Sequence, residues 1–134
     1  MNPKLVFDTN ILISGYLWAG RPRQAIRVVK SGAFKLLYCR ESIDELIRVL
    51  SMKFGLDSEE IFRIVLDIQT MGKNMTVISK EQPITDDATD NLFINLAIDG
   101  NAKIIVSGNS HLLRLKEYKE IEIMTVYEFF RRGL

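Results

Sequence analysis

A chain of 134 residues with 47% hydrophobic and 26% charged content has the makeup of a globular domain with one core, which excludes disordered and fibrous classes. The 18 Lys and Arg nearly cancel the 17 Asp and Glu, leaving +1, so net charge implies no strong non-specific hold on nucleic acid, and any such grip must come from a local basic patch or a metal. The lone Cys39 cannot form an internal disulfide and reads as a small, partly buried residue. With no apolar run of membrane length and no signal-peptide pattern before the first strand, a cytoplasmic protein without a membrane partner is expected.

Residues 4–7 read as a short apolar strand ending at Asp8. Helical periodicity follows over 10–18, is broken over 20–22, and resumes over 23–30 until Gly32. A second strand over 34–38 leads to a helix with Ile43, Leu46, Ile47, Leu50 and Phe54 on one stripe, ended by Gly55. Ser58 is placed as the N-cap of the next helix, which carries Ile61, Ile64, Val65 and Ile68 and stops at Gly72. A brief third strand is expected over 76–78. A helix opens within 87–90 and closes at Gly100, and a strongly apolar fourth strand spans 103–107. A short helix over 110–117, a fifth strand over 121–125 and a last helix over 126–132 complete the chain. Short apolar strands separated by helices imply a parallel sheet of about five strands with helices on both faces, in one domain over 1–134. Ligands of such sheets bind beyond the carboxyl ends of the strands, where strand order reverses. This directs attention to Asp8, to 38–45, to Ile78 and to 107–109.

No dinucleotide glycine fingerprint and no phosphate-binding Gly-Lys-Ser/Thr loop follows the first strand; Asp8-Thr9-Asn10 does. A carboxylate there suits a metal or a nucleophile, and equally suits a helix N-cap. Glu45 projects toward the same sheet edge from the helix after strand two, or else completes a capping box with Ser42. Asp90 lies with Asp86 and Asp87 in a group of acids that repel one another unless positive charge sits among them. Its alternative is the third helical position behind an Asp87 cap, with Asp86 a solvated loop charge. Carboxylates at separate strand ends suit hard cations such as Mg²⁺ or Mn²⁺, which stabilise charge on a phosphoryl oxygen. No Cys/His cluster supports a structural zinc. His111, the only histidine, reads as a loop or helix-start residue.

The strand-Asp-Thr-Asn opening over 6–14, Glu45-Leu46, the run 87–91 leading to Ala97, and the strand-Ser-Gly turn over 104–113 together resemble the PIN-domain family, in particular its toxin branch from toxin–antitoxin systems. The resemblance implies a three-layer α/β/α sandwich and a metal-dependent endoribonuclease cutting RNA, with Asp8, Glu45 and Asp90 as metal ligands. It also implies an antitoxin protein as partner and a homodimer. Asn109 stands where the family pattern has an Asp, and Ser110-His111 replaces its Lys-Asp. An Asn brings an acceptor but no charge, so one metal is easier to hold than two and activity is expected to be reduced.

Two function classes follow: an RNA-hydrolysing enzyme, or a weakened module that binds RNA or a protein without efficient cutting. A dehalogenase-like phosphatase wants an acid where Asn10 stands, and a receiver domain wants one after the third strand. Thr9, Asn10, Arg21, Ser107 and Arg114 are expected substrate contacts, with Arg23 and Lys116 as neighbours that solubilise equally well. Leu17 and Trp18 form either an exposed patch for a partner or part of the core. More apolar positions over 12–18 and 61–71 than one core stripe needs point to self-association.

Overall fold

The computed structural model describes residues 2–133. Seven helices and six strands follow in the order β1 (Lys4–Phe7), α1 (Thr9–Leu17), α2 (Arg21–Lys30), β2 (Lys35–Tyr38), α3 (Arg40–Met52), α4 (Ser58–Met71), β3 (Gly72–Asn74), α5 (Asn91–Gly100), β4 (Ile104–Val106), α6 (Ser110–Leu113), β5 (Glu117–Tyr118), β6 (Ile121–Met124) and α7 (Val126–Arg131). A single 3₁₀ turn, Ala88–Asp90, leads into α5. The sheet order is β3-β2-β1-β4-β6-β5, parallel throughout except for the β5–β6 pair. Alternation along the strands sends Leu5, Phe7, Leu36, Val106 and Met124 into a core under α1–α4 and α7. Val6, Leu37, Ile105 and Ile123 enter a second core under α5 and α6. The result is the expected three-layer α/β/α sandwich.

Several boundaries differ from expectation for local reasons. The second helix starts at Arg21, because Pro22 suits a first turn that needs no N–H donor there. Asp57, not Ser58, caps α4: it accepts from the Glu60 N–H at 2.8 Å, and Glu60 reaches back to the Asp57 N–H at 3.0 Å. The third strand is Gly72–Asn74, not 76–78. Gly72 both ends α4 and opens the strand, since a Cβ there would sit 2.9 Å from the carbonyl oxygens of Ile68 and Leu36. The expected helix over 110–117 stops at Leu113, and Glu117–Tyr118 pairs antiparallel with β6 as an unforeseen sixth strand.

The segment 75–87 has no regular structure and is held from outside. Three α5 side chains, four residues apart, bind its backbone. The Asn91 amide exchanges two bonds of 2.9 Å with Ile84, and the Asn95 amide accepts from the Glu81 N–H at 2.9 Å and donates to its carbonyl at 3.0 Å. The Asp99 carboxylate accepts from the N–H groups of Ile78 and Ser79 at 2.6 and 2.9 Å. Buried backbone groups need partners, and side-chain amides here replace a neighbouring strand. No helix of the described residues is long and apolar enough to cross a membrane.

Candidate active site

β1 pairs with β2 on one side and β4 on the other, so the strand order reverses about β1, and a crevice opens beyond its carboxyl end. The cleft there, of about 320 Å³, is lined by Asp8, Glu45, Asp87, Asp90 and Asn109 among others. Thr9 and Asn10 also line it. The acids singled out from sequence thus face one space from three elements. Ile78 is 76% exposed and lies away from it.

Asp8 sits one residue beyond β1 and is 3% exposed. It does cap α1, accepting from the Ile11 N–H at 3.0 Å, and its second oxygen accepts from the Ser107 hydroxyl. Capping and lining the cleft are therefore compatible roles of one side chain. Ser107, expected to touch substrate, is fully buried, and its hydroxyl accepts in turn from the Asn109 N–H at 2.9 Å. It braces the site from beneath. Burial raises the Asp8 pKa above its ordinary value and the charge of Asp90 adds to that, against the Ser107 hydroxyl and the Ile11 and Gly108 backbone.

Glu45 does not cap α3. The helix begins three residues earlier than its capping-box reading requires, with Cys39 at the N-cap and Ser42 at the third position, where the Ser42 hydroxyl accepts from the Cys39 N–H at 3.0 Å. Cys39 is buried, and burial raises its thiol pKa. Glu45, released from capping, accepts from the Thr9 hydroxyl at 2.8 Å and stands 3.8 Å from Arg48.

Asp87 caps the 3₁₀ turn, accepting from the Thr89 N–H at 3.1 Å, and the Thr89 contacts lower its pKa. Asp90 is 8% exposed and makes no capping bond. The Asn109 amide donates to both of its oxygens at 3.1 Å, and His111 Nδ1 lies 3.3 Å away. Burial raises the Asp90 pKa, with a further rise from Asp87 and opposition from His111 and Asn109. Asn109 uses its carbonyl oxygen to accept from the His111 N–H at 2.8 Å, so it caps α6 while gripping Asp90.

Asp8, Glu45 and Asp90 offer hard carboxylate oxygens of the kind Mg²⁺ and Mn²⁺ take, and a cation would relieve the buried charges of Asp8 and Asp90, whose pKa values burial raises. Among the described residues, the acids and histidine whose donor atoms all lie within 4.8 Å of one another are Asp87, Asp90 and His111, and not the trio of Asp8, Glu45 and Asp90. His111, expected in a loop or at a helix start, lies in the first turn of α6, and only its place two residues after Asn109 signals this contact in the sequence. Arg48, Val49, Lys53 and Phe93 also line the cleft without having been anticipated. The offsets of three, four and eight from Glu45 along α3 were the available signal. Arg21 and Arg114 do not line it: the Arg21 guanidinium lies 4.9 Å over the Tyr127 ring, and Arg114 pairs with Asp86 at 3.3 Å.

No curated protein matches the chain. Solved structures do share its fold. The crystal structure of PAE2754 from Pyrobaculum aerophilum superposes with a TM-score of 0.57 at 13% identity, covering 98% of this chain and 97% of that one. The PIN domain of human SMG5 superposes with a TM-score of 0.52 at 15% identity, covering 98% of this chain and all of that one. At such identities the likeness speaks for the fold alone. The sequence itself matches the PIN-domain family model over residues 4–111, from the first strand through the Asn109 turn. PIN domains are generally nucleases. A match over that much of the chain, on a sheet of this fold, makes this chain a member of the PIN-domain family.

Proposed function

We propose that this chain is a divalent-metal-dependent endoribonuclease, the toxin of a cytoplasmic toxin–antitoxin pair. The observation that supports it best is the convergence of Asp8, Glu45 and Asp90 on one polar cleft at the strand-order reversal. These three would hold Mg²⁺ or Mn²⁺, and the ion when bound would supply a Lewis acid at the scissile phosphodiester. Around it, Ser107 and the Ile11 N–H fix the Asp8 carboxylate, and Thr9 fixes Glu45. The test is cleavage of single-stranded RNA with Mn²⁺ and with chelator. Expression of the active chain should arrest growth, and the Asp8→Asn variant should not. RNA that stays intact at every Mn²⁺ concentration overturns the reading.

One observation favours the second reading, a module that binds without efficient cutting. The Asn109 amide occupies both oxygens of Asp90, and a cation must compete with it. Equal cleavage by the unmodified chain and Asn109→Asp would remove that reading. For assembly, the exposed Phe62 and Leu66 of α4 support a homodimer burying about 800 Å² per partner, checked by light scattering.

A further inference from the structure

Helix α3 brings more than Glu45 to the cleft. Arg48, and Lys53 just past the end of the helix, line it too, and both are exposed. Just past Lys53 comes Phe54, whose ring meets Trp18 edge-to-face with centroids 5.6 Å apart. Trp18 is 52% exposed and Phe54 40%. Helices α1 and α3 are joined at one end by the Thr9–Glu45 hydrogen bond and at the other by this ring pair. They therefore run in the same direction away from the acids. From Thr9 to Trp18 the distance is about 14 Å at 1.5 Å per residue.

An acidic cleft with two cations on its wall, one of them next in sequence to solvent-open aromatic rings, has a matching ligand. Unpaired nucleic acid needs cations along its backbone and ring faces for its bases. A duplex keeps its base faces stacked inside and cannot use the rings. A second copy of this chain would cover Trp18 and Phe54 but has no need of Arg48 and Lys53 leading to the cleft. About 14 Å spans roughly four nucleotide steps at the 3.4 Å spacing of a stacked strand, and fewer when the strand is extended.

We propose that an unpaired RNA strand leaves the acidic cleft along α3, its phosphates on Arg48 and Lys53 and a base against the Trp18–Phe54 pair. The identity of the strand as RNA rests on the ribonuclease reading; the track itself rests on these four residues.

Trp18 is the only tryptophan, so its fluorescence reports on the track directly. The full chain is titrated in chelator with single-stranded oligouridylate, and in parallel with an RNA duplex, while anisotropy of a labelled oligonucleotide gives Kd. Quenching of Trp18 by the single strand, with the same midpoint as the anisotropy, is expected, and little quenching by duplex. Trp18→Ala should weaken single-strand binding about tenfold or more, and Trp18→Phe should restore most of it. The Arg48→Ala/Lys53→Ala double variant should flatten the slope of log K against log salt by about 1.4. Binding without quenching, or equal quenching by duplex, overturns the track. A blue shift that grows with protein concentration and ignores RNA also overturns it, in favour of a second copy on the rings. Cleavage is scored separately with Mn²⁺. Quenching without cleavage removes the nuclease and keeps the track; cleavage undiminished in Trp18→Ala and without quenching does the reverse.

Discussion

Helix α3 faces two hollows of similar size and opposite chemistry. Its Glu45 and Arg48, with Lys53 just past its end, open on the acidic cleft of about 320 Å³. Its Ile47 and Ser51 side opens on a groove of about 420 Å³ shared with Leu56, Ile61, Phe62 and Val65. Volume does not tell them apart; the cost of their contents does. In the cleft, Asp8 and Asp90 are buried among acids, and burial raises the pKa of each, so the fold is working against itself there. In the groove, apolar surface is left in water, a loss that association with another apolar surface recovers. Stability is forgone at both places, and each points to a different kind of partner: a cation and a phosphate chain for the first, an apolar protein face for the second.

The sharpest way to break this contrast is Asp8→Asn. Cleavage should fall by more than about a hundredfold, since groups that merely support a metal ligand already cost ten- to a hundredfold. The metal-free variant should at the same time melt a few degrees higher, because a desolvated charge has gone. A variant that loses both activity and melting temperature would mean that Asp8 is chiefly a structural cap. Next in size is Asn91→Ala, which strips both partners from Ile84 and loosens the segment carrying Asp87. Urea unfolding should show a loss of about 2–4 kcal/mol, for two buried backbone groups left unpaired.

On the apolar side, Phe62→Asp should shift light scattering from dimer to monomer while leaving cleavage per chain unchanged. A weakening of association by more than about tenfold, or 1.4 kcal/mol, is expected. Asn109→Asp sharpens the contrast within the cleft. It replaces an amide that donates to Asp90 with a carboxylate that repels it. The metal-free protein should lose about 1 kcal/mol, and Mn²⁺, followed by calorimetry, should bind more tightly.

The smallest effect is in pH. Asp8 has a higher pKa folded than unfolded, so between those values the folded chain holds more protons. Its contribution is therefore most favourable below the unfolded carboxylate pKa and is lost as pH rises through the folded one. Asp87, Asp99 and Glu122, whose pKa values are lowered, act in the opposite sense. The Asp8 share is read as the stability of the parent minus that of Asp8→Asn, and this difference should decline as pH rises from the acid range toward neutrality. A flat difference would mean that Asp8 is not held away from water.

The layers of the fold were legible because period and punctuation agreed: apolar strands of four residues, amphipathic stripes, glycines at the breaks. What stayed hidden lacked a local signal. β5 is two residues long, and only its pairing with β6 makes it a strand. The capping alternatives for Asp8, Glu45 and Asp90 could not be separated from sequence, because a capping acid and a cleft acid occupy the same place at a helix start. The structure divides them unequally: Asp8 does both, Asp90 lines the cleft from the third position behind the Asp87 cap with no capping bond of its own, and Glu45 does not cap. The two cations after Glu45 are plain in the sequence, but Arg48 looks like an ordinary partner for Glu45, and Lys53 like surface charge. Trp18 could have been core or surface, and nothing short of tertiary contacts decides that.

The three side chains that hold segment 75–87 have a consequence for how this loop can vary. Asn91, Asn95 and Asp99 are spaced by the helix pitch, and Ile84, Glu81 and Ile78 must meet them in step. One residue inserted between Glu81 and Ile84 would carry one clasp out of reach of its partner, whereas one inserted between Ile84 and Asp87 would leave all three closed. A stretch with no helix or strand of its own thus has a fixed length, like a ribbon buttoned at set intervals, and only its last few residues are free to grow.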